Sequence, residues 1–500
     1  MTKTYNKIAI VNFRAVVGRF LPSVRYLPTY EMLMATAMRS KGLAKEVTIY
    51  TLYVDENPET YYDEWQDADL IFFWEFFNTK APRYVGKYFE LAPKFRHDLK
   101  KPVYFGGFWP TSYGKDFKEF NVFDKIVQGF SIDGTVQALA ENNDNKILTA
   151  NGPSNFNKYP LDTSCLRDPS KYMDGNTLHG YITSFGCPGN CFFCANNVMR
   201  NTGAYFSPRS LEQVKTDLDT LAECFNYKDI VIKDLNFFYD KKRANGILEY
   251  LAQNNTKCNI NLGITIKDID AELLESISLF DETKQLYFGL ESFDPKIRER
   301  LGKPYSHETM ITAIEVAESH GYDMTGNIML GFPFQTKEFV YGEVRTAVDL
   351  METHKGLFIA MNAYKPEYGS DIQKEHFQNI HLKMTMHDMI QLYLNDVGKF
   401  QETLYGGAFQ EINIEHIHNA MRLYEAIKRV RNYAIPPIVF IMKYLLAYLS
   451  RQLRNNCTFD PVTRFCLKRS RTEKLISKGL FSCMRFSRFV RKHLPAKGPE

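Results

Sequence analysis

The chain has 500 residues, too many for one hydrophobic core, and a length of roughly 100–200 residues per domain predicts two to four units. Hydrophobic residues make up 44% and charged residues 24%, which argues against a disordered chain and against a polytopic membrane protein. The net charge of +4 conceals an asymmetry: Met421–Glu500 carries 18 Lys and Arg against 4 Asp and Glu, a local net of +14, and the first 420 residues stand at −10.

Met1–Lys7 is polar and the apolar run Ile8–Val11 is far too short for a signal peptide, so a cytoplasmic protein is expected. Nine cysteines, an odd number, do not make a disulfide framework, and in a reducing compartment a tight cysteine group reads as metal-binding or catalytic. Strands are predicted at Lys7–Val11, Val47–Leu52, Asp69–Trp74, Pro102–Phe105 and Val122–Val127. Helices are predicted at Thr29–Ser40, Ala81–Leu99 and Thr135–Glu141. This alternation predicts a doubly wound, Rossmann-like parallel sheet over residues 1–145. The Asn-, Gly- and Pro-rich stretch Glu141–Asn157 predicts a linker, taken as 146–179.

A second series of strands is predicted at Tyr181–Ser184, Asp229–Ile232, Asn259–Ile264, Gln285–Gly289, Asp323–Leu330 and Leu357–Ala363. Helices such as Ser210–Cys224 and His307–His320 fall between them. Six such units over 180–384 predict a partial (βα)₆ barrel, with its chemistry at the C-terminal ends of the strands. From Thr385 the strand signal gives way to helical segments, so 385–500 is expected to be a helical, basic C-terminal domain.

The segment Ser184–Arg200, SFGCPGNCFFCANNVMR, spaces Cys187, Cys191 and Cys194 as C-x₃-C-x₂-C just after a predicted strand. Three thiolates on one short loop can each take one iron of a [4Fe-4S] cubane and leave the fourth iron open. Gly186, Pro188 and Gly189 suit a tight wrapping loop. Three unrelated buried cysteines, or a zinc site, are the alternatives; zinc ordinarily takes four ligands, and no fourth Cys or His lies nearby.

These residues resemble the radical SAM superfamily, whose signature has an aromatic before the last cysteine, here Phe193. The resemblance implies that the open iron chelates S-adenosylmethionine (SAM) and that its reductive cleavage yields a 5′-deoxyadenosyl radical. It also implies that Phe193 packs near the adenine and that Asp234, with Asn236 as the weaker candidate, faces the methionine amino group. By the same resemblance Glu291 and Ser292 contact the ribose, and Ile328, in GNIMLGFP, lies along the adenine. NAYKPEYGSDI (Asn362–Ile372) resembles the sixth-strand end.

With its N-terminal domain the chain resembles the cobalamin-binding radical SAM family. RYLPTYEMLMATAMRSKG (Arg25–Gly42), GGFWPT (Gly106–Thr111) and VQGFSIDGT (Val127–Thr135) carry that likeness. It implies cobalamin contacts at Pro28, Gly106, Gly107, Phe108, Gly129 and Phe130. Glycines at the ends of parallel strands would let a flat ligand approach the backbone. The chain departs from the family pattern: no D-x-H-x-x-G motif is present, Trp109 stands where His is common, and Phe130 and Ile132 replace acidic residues. A base-off cobalamin without a protein histidine ligand is expected, with a vestigial domain as the alternative.

The expected chemistry is methylation of an unactivated carbon. A cobalamin-associated radical cyclisation or rearrangement is the alternative, and a cluster-binding protein without turnover is the rival from another class. The expected partners are a small-molecule substrate, apolar or lipid-like, and an external electron donor such as flavodoxin or ferredoxin. In the basic tail, Glu473–Leu494 puts Ile476, Leu480, Met484 and Phe489 near one face among Lys and Arg, a pattern for peripheral contact with an anionic membrane. A helix that covers the barrel reads equally well. The tail lacks Gly-rich or aromatic-platform features, which argues against nucleic acid. Cys457, Cys466 and Cys483 are spaced too widely for a second cluster.

Overall fold

The computed structural model describes residues 3–14, 26–53, 56–75, 82–113, 121–141, 143–260, 263–278, 284–364 and 370–376. All of these lie in one compact unit, Met1–Ile414. The basic tail, the helical segments expected after Thr385, and residues 365–369 of the sixth-strand segment lie outside the described residues.

Six parallel strands form the first sheet: β1 (Tyr5–Arg14), β2 (Ala44–Tyr53), β3 (Leu70–Glu75), β4 (Val103–Gly107), β5 (Lys125–Gln128) and β6 (Ile147–Thr149). Their spatial order is β2-β1-β3-β4-β5-β6. Growth of the sheet changes direction between β1 and β3, the topological switch point at which open α/β sheets take ligands. Every residue of β3 is buried, as expected for a central parallel strand covered on both faces. The helix Thr29–Ser40 forms as predicted, and Ser131 caps Ile132–Ala140 by accepting from the Gly134 N–H at 3.1 Å. β6 falls inside the predicted linker. Its three residues are too few for a periodic signal, and the ladder to β5 defines them instead.

The second series opens with the hairpin β7 (Met173–Asp174) and β8 (Thr177–Tyr181), and β9 (Ser184–Gly186) then pairs antiparallel with β10 (Phe206–Pro208). Parallel strands β11 (Asp229–Ile232), β12 (Lys257–Ile260), β13 (Gln285–Glu291), β14 (Asp323–Leu330) and β15 (Leu357–Ala363) follow. They join as β12-β11-β8 and β13-β14-β15, with helices Leu211–Phe225, Lys241–Gln253, Ala271–Ser278, His307–Ser319 and Lys337–Thr353 between or after them. Ser210, Asp240, Ser306 and Thr336 cap four of these helices with side-chain oxygens.

Aromatic rings join the two series. Tyr30 stacks on Trp74 at 5.4 Å and meets Phe185 of β9 at 5.4 Å, and Phe156 packs against both Tyr30 and Phe185. The Leu27 N–H donates to the His179 carbonyl at 2.8 Å. The strand that enters the cysteine loop therefore packs directly against helix Thr29–Ser40 of the first series.

Candidate functional site

The cysteine loop starts where β9 ends. Gly186 has φ +73°, and a Cβ there would collide with the Tyr205 carbonyl of the adjoining segment, so only glycine fits. The Arg200 guanidinium donates to the Gly189 carbonyl at 2.6 Å, and the Tyr205 hydroxyl donates to that of Pro188 at 2.7 Å. From the far side the Phe192 N–H donates to the Leu301 carbonyl at 3.0 Å. The Ile372 N–H donates to the Phe192 carbonyl, also at 3.0 Å. Arg200, Tyr205, Leu301 and Ile372 therefore hold the eight residues of the loop between them.

Cys187, Cys191 and Cys194 are half-buried. Burial pushes all three thiols up, Cys194 to about 12. The Sγ atoms of Cys187 and Cys191 lie 3.4 and 3.8 Å from the point where a Cβ of Gly189 would stand, so that space is open to them because residue 189 has no side chain. No three His, Cys, Asp or Glu side chains among the described residues converge on a single ion. Three thiols spaced C-x₃-C-x₂-C on one loop can each bind a separate iron of a cubane at its own corner. The donor set fits a [4Fe-4S] cluster.

Phe193 is half-buried and packs with Met329 against Ile297, Leu301, Phe332, Tyr364 and Ile372, its ring 6.0 Å from Phe332. Ile328 faces the other way. It is fully buried on the face of β14 shared with Gly326, where an added Cβ would meet Leu290 at 2.5 Å and Ile359 at 3.3 Å. Strand alternation puts Met329, not Ile328, on the Phe193 side.

Asp234 also departs from expectation. It is 1% exposed, and both carboxylate oxygens are taken by Thr183 and Ser184. It has no free oxygen for a ligand amine. Asn236 is the better candidate: its buried Oδ1 has no hydrogen-bond partner, an acceptor that burial leaves costly unless something donates to it.

Ser292 is fully buried and its hydroxyl donates to Glu343, so it is turned away from any ribose. Glu291 ends β13 with φ +65°, the left-handed region that a non-glycine residue enters at a cost of about 1–3 kcal/mol. Its Oε1 lies 3.6 Å from Lys303 Nζ. Burial pushes the Glu291 carboxyl up, and Lys303 opposes that.

The cobalamin residues read from sequence are filled by the protein itself. A Cβ on Gly106 would meet the Trp74 ring at 2.6 Å, on Gly107 the Glu75 backbone, and on Gly129 the Ala150 backbone. These glycines serve packing between strands rather than the approach of a flat ligand. Phe108 and Phe130 are buried, at 3% and 0% exposure. The Phe130 carbonyl accepts from the hydroxyls of Tyr30 at 2.7 Å and Ser154 at 2.5 Å. Pro28 is buried and precedes helix Thr29–Ser40, its carbonyl accepting from the Met32 N–H at 2.9 Å.

Residues 181–341, which contain the cysteine loop and strands β9 to β14, match the radical SAM superfamily. The match spans about a third of the chain. An uncharacterised methyltransferase of Pyrococcus horikoshii is 28% identical over 39% of this chain and 42% of its own length. The hopanoid C-2 methylase of Rhodopseudomonas palustris is 24% identical over 48% of this chain and 46% of its own. The chain thus spans less than half the length of either relative. Among solved structures, the radical SAM methyltransferase TsrM of Kitasatospora setae, with cobalamin and a [4Fe-4S] cluster bound, superposes with a TM-score of 0.56 at 15% identity. It covers 76% of this chain and 79% of its own. The cobalamin-dependent radical SAM enzyme OxsB gives a TM-score of 0.58 at 14% identity, over 98% of this chain and 75% of its own. At these identities the likeness is one of fold.

One charged residue beside the cysteine loop was not read from sequence. Lys303 follows Gly302, whose φ of +73° lets its backbone press against Asn190, where a Cβ would collide with the carbonyl. Burial would lower the Lys303 ammonium, but Glu291 and then Cys191, Cys187 and Cys194 outweigh it and hold the group above its ordinary value. The signal in the sequence was the Gly-Lys pair after a short helix, which has no chemistry of its own until the fold brings it to the loop.

Proposed function

We propose that this radical SAM protein is a methyltransferase acting on an unactivated carbon of a small molecule, with cobalamin as methyl carrier. The observation that carries the reading is the loop of three half-buried thiols with Lys303 and Glu291 beside it. The named methyltransferase relatives and the fold shared with TsrM and OxsB support the reaction class and the cofactor.

When bound, the cluster and SAM supply a carbon radical able to take a hydrogen atom from an unactivated C–H bond. Cys187, Cys191 and Cys194 would hold the cluster as thiolates. Phe193, Met329 and Phe332 form an apolar wall that keeps water from a reactive radical. Asn236 Oδ1 would accept from the SAM amino group, and Glu291, fixed in its strained conformation, would face the ribose hydroxyls. The half-buried Lys303 cation would offset part of the negative charge of three thiolates. Cobalamin enters through fold likeness, with no contact assigned to Gly106, Gly107 or Gly129.

The electron donor is proposed to be of the flavodoxin or ferredoxin class. A peripheral membrane contact of the basic tail, and with it a lipid-like substrate, rests on the local net charge of +14. Among the described residues no helix is long and apolar enough to cross a membrane.

The test is anaerobic incubation of the reconstituted protein with hydroxocobalamin, a reductant and methyl-labelled SAM. S-adenosylhomocysteine and labelled methylcobalamin alongside 5′-deoxyadenosine are expected. 5′-Deoxyadenosine alone would replace methylation by a radical cyclisation or rearrangement.

A further inference from the structure

The ladder between β8 and β11 ends early. The Lys233 N–H still donates to the Tyr181 carbonyl at 2.9 Å, and the register has already slipped between Val231 and Ile232. Beyond Tyr181 the chain leaves the sheet to become β9, and the backbone N–H groups of Thr183 and Ser184 lose their strand partner. Buried N–H groups without an acceptor are costly. The Asp234 carboxylate takes over from the strand. Its Oδ1 accepts from the N–H of Thr183 at 2.6 Å and of Ser184 at 3.2 Å. Its Oδ2 accepts from the hydroxyls of Thr183 at 2.5 Å and Ser184 at 2.7 Å.

The opposite side of Thr183 is fastened as well. Arg243 Nη2 donates to the Thr183 carbonyl at 2.7 Å and to its hydroxyl oxygen at 2.8 Å, and the Arg209 N–H donates to the same carbonyl at 3.0 Å. Arg209 is itself fully buried and paired with Asp217 at 2.5 Å, and Asp217 accepts from the Tyr181 hydroxyl at 2.7 Å. Residues 181–184 are thus fixed from both sides, and Ser184 stands just ahead of Cys187.

We propose that Asp234 is a positioning residue for the cluster: by clamping Thr183 and Ser184 it sets the direction in which the chain enters the cysteine loop, so that three thiols reach one cubane. The proposal rests on the radical SAM reading of the loop. It also gives a reason for a buried carboxylate that no ligand can reach. Asparagine at 234 keeps one acceptor for the two N–H groups and offers its amide to hydroxyls able to accept. Alanine leaves four donors stranded.

The full-length protein and its Asp234→Ala, Asp234→Asn and Thr183→Val variants are reconstituted anaerobically with iron and sulfide. Iron per chain, the EPR spectrum of the reduced cluster without SAM, and the SAM dissociation constant are measured. Asp234→Ala is expected to lose more than half of its iron and to show a changed spectrum before SAM is added. Asp234→Asn should restore the iron. If Asp234→Ala does not fold, Thr183→Val carries the test: its SAM-free spectrum should shift, and an unchanged one overturns the proposal. A folded Asp234→Ala with wild-type iron and spectrum, weakened only in SAM binding, also overturns it and makes Asp234 a SAM ligand. A wild-type protein that takes up no cluster overturns the radical SAM reading along with it.

Discussion

Lys303 Nζ sits 3.6 Å from Glu291 Oε1, and the three cysteines lie within the reach of its charge. Glu291 is mostly buried at the end of β13, and Lys303 is only 21% exposed in its side chain. The pair joins the end of one strand to the loop that presses on the cysteines, so a single contact couples strand geometry to the electrostatics of the three thiols.

Removing that cation should make the cluster harder to reduce. One charge acting over several ångströms at an effective dielectric of ~20 is worth a few kcal/mol. For a one-electron couple that corresponds to a shift on the order of 100 mV. Lys303→Met is expected to move the midpoint potential in the negative direction by that order, read by EPR-monitored redox titration. An unmoved potential would show that Lys303 does not face the cluster.

Much of this was legible in the sequence because it depends on local pattern. The alternating strands and helices place β1 to β5, and the C-x₃-C-x₂-C spacing marks three candidate ligands without help from the fold. What was missed depends on direction. Asp234 and Ile328 occupy the expected strand ends, but the ladder register turns one onto Thr183 and the other toward Leu290 and Ile359. Gly106 and Gly107 looked like openings for a ligand, and only the neighbouring strand shows that Trp74 and the Glu75 backbone already fill them. Lys303 gained its role from the left-handed Gly302 before it.

Gly302 offers a second prediction. Alanine there would have to adopt φ +73° and push against the Asn190 carbonyl. Such strain costs about 1–3 kcal/mol, and the loop that holds Cys191 must shift to relieve it. Gly302→Ala should lower the melting temperature by several degrees and reduce iron uptake, as followed by calorimetry and iron assay. A variant with unaltered melting and iron content would mean that the loop does not depend on this contact.

Asp133 supplies a pH dependence away from the cluster. Burial would raise its carboxyl, but Lys41, Tyr159 and Lys158 bond to it and bring it down to about 2. Lys41 and Lys158 lie at 2.8 and 2.9 Å, and the Tyr159 hydroxyl donates at 2.6 Å. A carboxylate whose folded value is depressed stabilises the protein above its unfolded value near 4 and loses that contribution as pH falls toward 2. Asp133→Asn should therefore be less stable than wild type at pH 6, with the difference shrinking as pH falls through that window. Chemical denaturation at a series of pH values measures it, and a difference that stays constant with pH would contradict the assignment.

The central claim is that Cys187, Cys191 and Cys194 hold a cluster that cleaves SAM. Its most direct test is the release of 5′-deoxyadenosine by the anaerobically reconstituted, reduced protein, compared with the triple variant Cys187→Ala, Cys191→Ala, Cys194→Ala. 5′-Deoxyadenosine is expected from the wild-type protein and none above background from the variant. Reductive cleavage that survives loss of all three thiols would contradict it.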